Sequence, residues 1–233
     1  MTNQLKLVAK SYDRGIDFGR EGVDLYKALP EHITSDPDFA IYQEMVKHGV
    51  LAGSGCKEIR DYLSPDTGMK FIDLGCCLNL MLNDYDQRDS KYYGVDISSK
   101  TIQLLNEFVS RKNISIGALF CGSIHETPFH ANYFDIGACI GVLEYFNKDF
   151  VEKAIMEAHR IIKPYGKFVL DIPNLGNPTF RIMMLIEEYL GRPDRFDMSS
   201  QEFEDMLLKY FEVEKTDKVD AGAMLRYFLS CKK

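Results

Sequence analysis

Two acidic residues and a glycine turn carry the first chemical signal in this chain. Asp73 lies near the end of an apolar run, Lys70-Phe71-Ile72-Asp73-Leu74, that passes straight into Gly75-Cys76-Cys77-Leu78-Asn79. Gly75 suits a tight turn where backbone must approach a ligand closely. Asp73 can accept hydrogen bonds from a ligand's ammonium group, orient the loop, or cap the helix that follows. Asp96 closes a second run, Tyr92-Tyr93-Gly94-Val95-Asp96, 23 residues after Asp73. A carboxylate there has two acceptor oxygens and no donor, which matches the paired hydroxyls of a ribose. Ile97, next in the chain, offers an apolar surface to an adenine ring.

Two more strand ends bring polar residues to the same edge. Ala118-Leu119-Phe120-Cys121 leads into Gly122-Ser123-Ile124 and then His125-Glu126-Thr127-Pro128-Phe129. The run from Phe134 leads into Ile140-Gly141-Val142-Leu143-Glu144-Tyr145-Phe146. His125 and His130 flank Pro128, so they form no helical metal pair, and no metal site is expected. The six cysteines, Cys56, Cys76, Cys77, Cys121, Cys139 and Cys231, contain no C-x-x-C spacing. They read as reduced thiols rather than as a disulfide framework or a zinc site.

The elements that must position these residues alternate. Strands over 70–74, 92–96, 118–121, 134–140 and 167–172 are separated by helical runs. The clearest helix spans 148–163, where Val151, Ala154, Ile155, Ala158, Ile161 and Ile162 make one apolar stripe and Pro164 and Gly166 end it. Such alternation means a parallel sheet covered on both faces. The runs 211–217 and 224–231 break the pattern. Only a short turn containing Asp220-Ala221-Gly222 separates them, so they are expected to be antiparallel neighbours. Before the first strand, Phe39, Tyr42, Met45 and Val46 recur at helical spacing, with Ser35-Asp36-Pro37 as the expected helix start, and Gly53-Ser54-Gly55 interrupts the pattern.

Composition narrows the partners. The 233 residues carry 28 Lys plus Arg against 35 Asp plus Glu, a net charge of −7, and that field repels phosphate backbones. No window approaches the roughly 18 consecutive apolar residues of a membrane span. Met1-Thr2-Asn3-Gln4-Leu5-Lys6 lacks the basic start and apolar run of a secretory signal, so a cytoplasmic location is the expectation.

In order and at their intervals, these motifs resemble the class I S-adenosylmethionine-dependent methyltransferases, of the small-molecule group that includes the menaquinone- and ubiquinone-biosynthesis enzymes. The resemblance rests on F-I-D-L-G-C at 71–76, Y-G-V-D-I-S at 93–98, T-P-F at 127–129, F-D-I at 134–136, G-V-L-E-Y at 141–145 and H-R-I-I-K-P-Y-G-K at 159–167. Val8-Ala9-Lys10-Ser11-Tyr12-Asp13 is similar to the family's N-terminal segment, whose tyrosine lies over the cofactor. The resemblance implies an α/β, Rossmann-like fold: a seven-stranded sheet, mostly parallel with an antiparallel last strand, helices on both faces and a helical N-terminal cap. It implies S-adenosylmethionine as methyl donor and S-adenosylhomocysteine as product. The cofactor-binding residues it implies are Tyr12, Asp73, Gly75, Cys76, Cys77, Asn79, Asp96, Ile97, Ser123, Ile124, Ile140 and Leu143.

The chain departs from the family pattern at three of these positions. Cys77 and Asn79 stand where the loop usually has its second and third glycines; asparagine tolerates left-handed backbone better than most residues. Ser123 stands where an aspartate commonly accepts from the adenine amino group. The fourth strand lacks the N/D-P-P-Y segment of enzymes that methylate base or amide nitrogens, which with the net charge points to a small-molecule acceptor and not nucleic acid. Methyl transfer is an in-line displacement, and a base is needed only if the acceptor sheds a proton. Glu144, Tyr145, His125 and Tyr12 are the candidates.

The expected organisation is one domain over 1–233: a helical cap over 1–68, a cofactor-binding core over 69–172, an acceptor-site insertion over 173–210 and a terminal β-hairpin over 211–233. Residues 12–50 are expected to form the other wall of the acceptor site. The protein is expected to be a monomer or homodimer with no membrane partner. Two other readings compete: a non-catalytic S-adenosylmethionine-binding protein with a degenerate glycine loop, and a nicotinamide-dependent oxidoreductase. The missing G-x-G-x-x-G and the antiparallel ending count against the second.

Overall fold

Seven strands pair into one sheet in the order β3-β2-β1-β4-β5-β7-β6. They are β1 (Lys70–Leu74), β2 (Lys91–Asp96), β3 (Ala118–Cys121), β4 (Phe134–Cys139), β5 (Ile162–Pro173), β6 (Phe211–Val219) and β7 (Met224–Cys231). The first five run parallel, while β7 lies between β5 and β6 and is antiparallel to both. The computed structural model describes residues 3–23, 29–47, 56–83, 85, 89–192 and 195–233. The Gly53-Ser54-Gly55 interruption lies outside them.

Helices cover both faces: α1 (Asn3–Arg20), α2 (Glu31–Thr34), α3 (Phe39–Lys47), α4 (Lys57–Leu63), α5 (Asn79–Leu82), α6 (Ser99–Lys112), α7 (Lys148–Ile161), α8 (Pro178–Tyr189) and α9 (Ser200–Leu207). The strand period of two sorts side chains between those faces. Ile72, Leu74 and Val95 point one way, into a core with the α7 stripe, Phe203 and Leu207 of α9, and Leu5 and Val8 of α1. Phe71, Tyr92, Ile136, Val169 and Phe228 point the other way, against Ile59 of α4 and Leu105 of α6. Polar side chains start the helices: Ser98 accepts from the Thr101 N–H at 3.0 Å before α6, and Ser199 and Glu202 form a capping box on α9.

Three local readings shift. The α7 helix stops at Ile161, and Pro164 interrupts a strand rather than a helix. Pairing jumps from Phe134–Ile162 to Ile136–Lys167, which leaves Lys163 to Gly166 as an irregularity with Tyr165 at a φ of 66°. The α3 helix begins at Phe39, because Asp36 turns back to accept the Asp38 N–H at 3.0 Å. Third, α2 and α3 pack on α8, with Ile33, Phe39 and Met45 against Ile182 and Ile186.

Candidate active site

The strand order reverses between β1 and β4, and ligands of open α/β sheets settle outside the strand ends at such a switch. A cleft of about 670 Å³, part of it open to solvent, lies there. Its bottom is the turn after β1. Gly75 has a φ of 77°, and a Cβ on it would sit 2.2 Å from the Val142 Cγ2, so no other residue fits. The Gly75 and Cys76 N–H groups donate to the Val95 carbonyl at 2.8 and 2.9 Å, fastening the turn to β2.

Asp96 is buried at the end of β2. Its Oδ2 accepts the Cys77 N–H and its Oδ1 the Ser98 N–H, both at 2.8 Å. Burial pushes its carboxyl up to about 6, against the pull of those N–H donors. Each oxygen keeps acceptor capacity beyond these bonds. Ile97 and Ile124 line the same cleft, and Ser123 Oγ meets His125 Nδ1 at 2.6 Å. Bare glycine backbone, a fixed carboxylate and apolar walls fit an adenosyl group: hydroxyls to the acid, the flat ring between the isoleucines.

Besides Gly75, the left-handed residue of the loop is Cys77, with a φ of 42°. Asn79 is in the first turn of α5, and it needs no left-handed backbone. Its Nδ2 donates to Asp73 Oδ2 at 3.0 Å, and the Tyr92 hydroxyl donates to the same oxygen at 3.1 Å. Asp73 is therefore engaged in orienting the loop, one of the three roles open to it. Burial, then the nearby Asp96, pushes the Cys77 thiol up to about 11, so it stays protonated at neutral pH.

Over the other side of the cleft, α1 contributes Leu5, Val8 and Tyr12, and the 3-10 turn Leu143–Tyr145 contributes Tyr145. Tyr12 donates to the Tyr145 hydroxyl at 3.3 Å, and Tyr145 donates to Glu187 Oε2 of α8 at 3.3 Å. Arg192, just past α8, forms an ion pair with Glu187 and lies 4.8 Å from the centre of the Tyr12 ring. Burial raises both phenols above their ordinary range.

Of the residues singled out from sequence, Tyr12, Gly75, Cys77, Asn79, Asp96, Ile97, Ser123, Ile124, Ile140 and Tyr145 line this one cleft. Asp73, Cys76 and Leu143 are buried outside its lining. His125 lines an adjoining cleft, with Gln4, Asn147, Asp149, Lys153 and Arg195. Glu144 lies beside Gly141, lines neither cleft, and its carbonyl accepts the Arg195 and Phe196 N–H groups. The wall expected from residues 12–50 is made by α1 instead, with Tyr12 the member of that span that reaches the lining among the described residues. Leu5 and Val8 were readable as partners of Tyr12 at helical spacing. Nothing in the sequence marks Glu187 or Arg192, which the docking of α8 brings to Tyr145. Among the described residues no group of three or more His, Cys, Asp or Glu side chains is arranged to hold a metal ion.

The strand order is that of a Rossmann-like α/β sheet with an antiparallel last strand. Residues 72–170 match the family model described as Methyltransferase domain. The sterol 4-C-methyltransferase strm-1 of Caenorhabditis elegans is 26% identical over 113 residues, 48% of this chain and 33% of that protein, so the match spans about a third of that relative's length. Among solved structures, the PH0226 protein of Pyrococcus horikoshii OT3 superposes with a TM-score of 0.61 at 20% identity, covering 89% of this chain and 98% of that one. Geranyl diphosphate C-methyltransferase of Streptomyces coelicolor A3(2), solved with Mg2+, geranyl diphosphate and S-adenosylhomocysteine, gives 0.68 at 12% identity over 99% and 98% of the two chains. At these identities the structural likenesses speak for the fold alone.

Proposed function

We propose that the protein is an S-adenosylmethionine-dependent methyltransferase that acts on a small molecule. The observation that carries this is Asp96, fixed by two backbone N–H groups at the cleft bottom beside Ile97 and Ile124 and facing a glycine turn that admits no side chain. The bound donor would supply an activated methyl group on a sulfonium. The chain's own residues bind and orient it. Asp96 accepts the ribose hydroxyls, and Ile97 and Ile124 hold the adenine. Ser123 Oγ, paired with His125 Nδ1, has a further lone pair for the adenine amino group. Cys77 offers a neutral thiol that does not compete for the methyl group.

The acceptor side is read from the same cleft. The ribose end lies over β2, so the reacting end lies toward β4 and β5, where Tyr12, Tyr145 and Glu187 converge. The apolar lining here, and the sterol in the name of the Caenorhabditis elegans relative, support an acceptor with a substantial apolar part. The single-domain organisation, with α1 as cap and residues 173–210 flanking the acceptor, belongs to this reading. So do a cytoplasmic location, a monomeric or homodimeric state and the absence of a nucleic-acid partner, the last supported by the net charge of −7. Among the described residues no helix is long and apolar enough to cross a membrane.

Isothermal titration calorimetry with S-adenosylhomocysteine tests the proposal. Micromolar binding to the wild type, with a loss of at least about tenfold in Asp96→Ala, is expected for a carboxylate that accepts two ligand hydroxyls. Absence of binding at millimolar ligand would refute it.

A further inference from the structure

The geometry points to Glu187 as the terminal proton acceptor of a relay that opens at Tyr12 and passes through Tyr145, and so to an acceptor that loses a proton as it is methylated. The inference rests on the methyltransferase reading above and specifies the substrate class of the same cleft.

Three observations carry it. Tyr12 and Tyr145 both line the cleft, and their hydroxyls are joined in one direction: Tyr12 donates to Tyr145, and Tyr145 donates to Glu187, each at 3.3 Å. The two phenols sit on different elements, α1 and the turn after β4, and Glu187 on a third, α8. The carboxylate is removed from solvent, its side chain 21% exposed and that of its partner Arg192 12% exposed. Both phenols are held neutral, so neither serves as the base itself; the anionic end of the chain is Glu187. The groups facing it are Arg192 after α8 and Tyr145 from the 3-10 turn, with Tyr12 of α1, Glu144 and Cys77 one contact further out.

The step balances. The acceptor atom attacks the methyl carbon and forms the new bond as the carbon–sulfur bond breaks, the electron pair going to sulfur. The acceptor's proton passes to the Tyr12 oxygen, the Tyr12 proton to Tyr145 and the Tyr145 proton to Glu187, which ends as a carboxylic acid. The positive charge on sulfur and the negative charge on Glu187 are lost together, and Arg192 keeps its own charge. A hydroxyl, an N–H amine or a carbon acid can use the relay. A thioether or tertiary amine, which has no proton to lose, cannot.

The test needs no knowledge of the acceptor. Sinefungin carries an amine where S-adenosylmethionine carries the transferable methyl, whereas S-adenosylhomocysteine carries nothing there. Calorimetry of both ligands on the full chain, from pH 5 to pH 8, gives an affinity ratio in which the shared contact to Asp96 cancels. The wild-type ratio should favour sinefungin less as pH falls and Glu187 takes up a proton. In Glu187→Gln the ratio should be flat with pH and about tenfold lower at pH 8, with S-adenosylhomocysteine binding unchanged within about twofold. Tyr145→Phe keeps the Glu187–Arg192 pair and cuts the relay, so it should lose the same preference even if Glu187→Gln folds poorly. Equal losses for both ligands, or an unchanged ratio, would overturn the relay. A wild type that binds neither ligand would instead overturn the methyltransferase reading on which it rests.

Discussion

Strain and charge at single residues make two predictions about the cofactor loop. Cys77 occupies left-handed backbone that costs a residue with a Cβ about 1–2 kcal/mol, and glycine none. Cys77→Gly should therefore raise the melting temperature by about 2 °C, after allowing for the extra freedom glycine brings to the unfolded chain. Differential scanning calorimetry reads this; a lower melting temperature would mean that the thiol's packing outweighs the strain. Asp96 gives the pH dependence. Its carboxyl titrates near 6 in the free protein, and the ligand's hydroxyls need the ionised form. Protons then compete with ligand, so S-adenosylhomocysteine affinity should be flat above about pH 6 and fall about tenfold per unit below it. Asp96→Asn should abolish that slope. The sequence exposed Asp96 because an acid at a strand end has a readable position. It concealed the strain at Cys77, since a left-handed residue that is not glycine leaves no mark in composition.

At the scale of elements, the reversed strand reaches the cleft through one ion pair. Arg226 of β7 lies opposite Asp171 of β5 in the register, and their side chains meet at 3.2 Å, each about 1% exposed. Asp171 also accepts the Gly141 N–H at 2.8 Å, which fixes the loop after β4 where it lines the cleft. Arg226→Met leaves a buried carboxylate without its cation and should cost about 3–5 kcal/mol in urea unfolding. Asp171→Leu with Arg226→Met should recover much of that stability yet leave the Gly141 N–H unheld, so S-adenosylhomocysteine binding should stay weakened. If binding recovers in step with stability, the pair serves folding alone. Alternating runs made the five parallel strands and the closing hairpin legible in the sequence. What stayed hidden was any contact set by the docking of one helix on another: α2 and α3 went to α8 instead of the cleft, and α8 carried Glu187 to Tyr145.

Across the whole molecule, α1 joins parts that are far apart in the chain. Leu5 and Val8 enter the main core, Gln4 donates to the Tyr145 carbonyl at 3.0 Å, and Asp13 accepts from Ser98 Oγ at 2.6 Å. Deleting residues 1–22 should therefore lower S-adenosylhomocysteine affinity by at least about tenfold while circular dichroism still reports the sheet. Unchanged affinity would reduce α1 to a surface ornament of the core.

The place of β7 has a consequence for biosynthesis. It is made after β5 and β6, yet it is inserted between them and is the sheet partner of β6. Until residues 224–231 have left the ribosome, β5 and β6 each present an unpaired edge, and such edges recruit any strand within reach. A message cut short within that stretch would yield a chain with nearly all of its cleft and two adhesive flanks, a product suited to chaperone capture or aggregation rather than to partial activity.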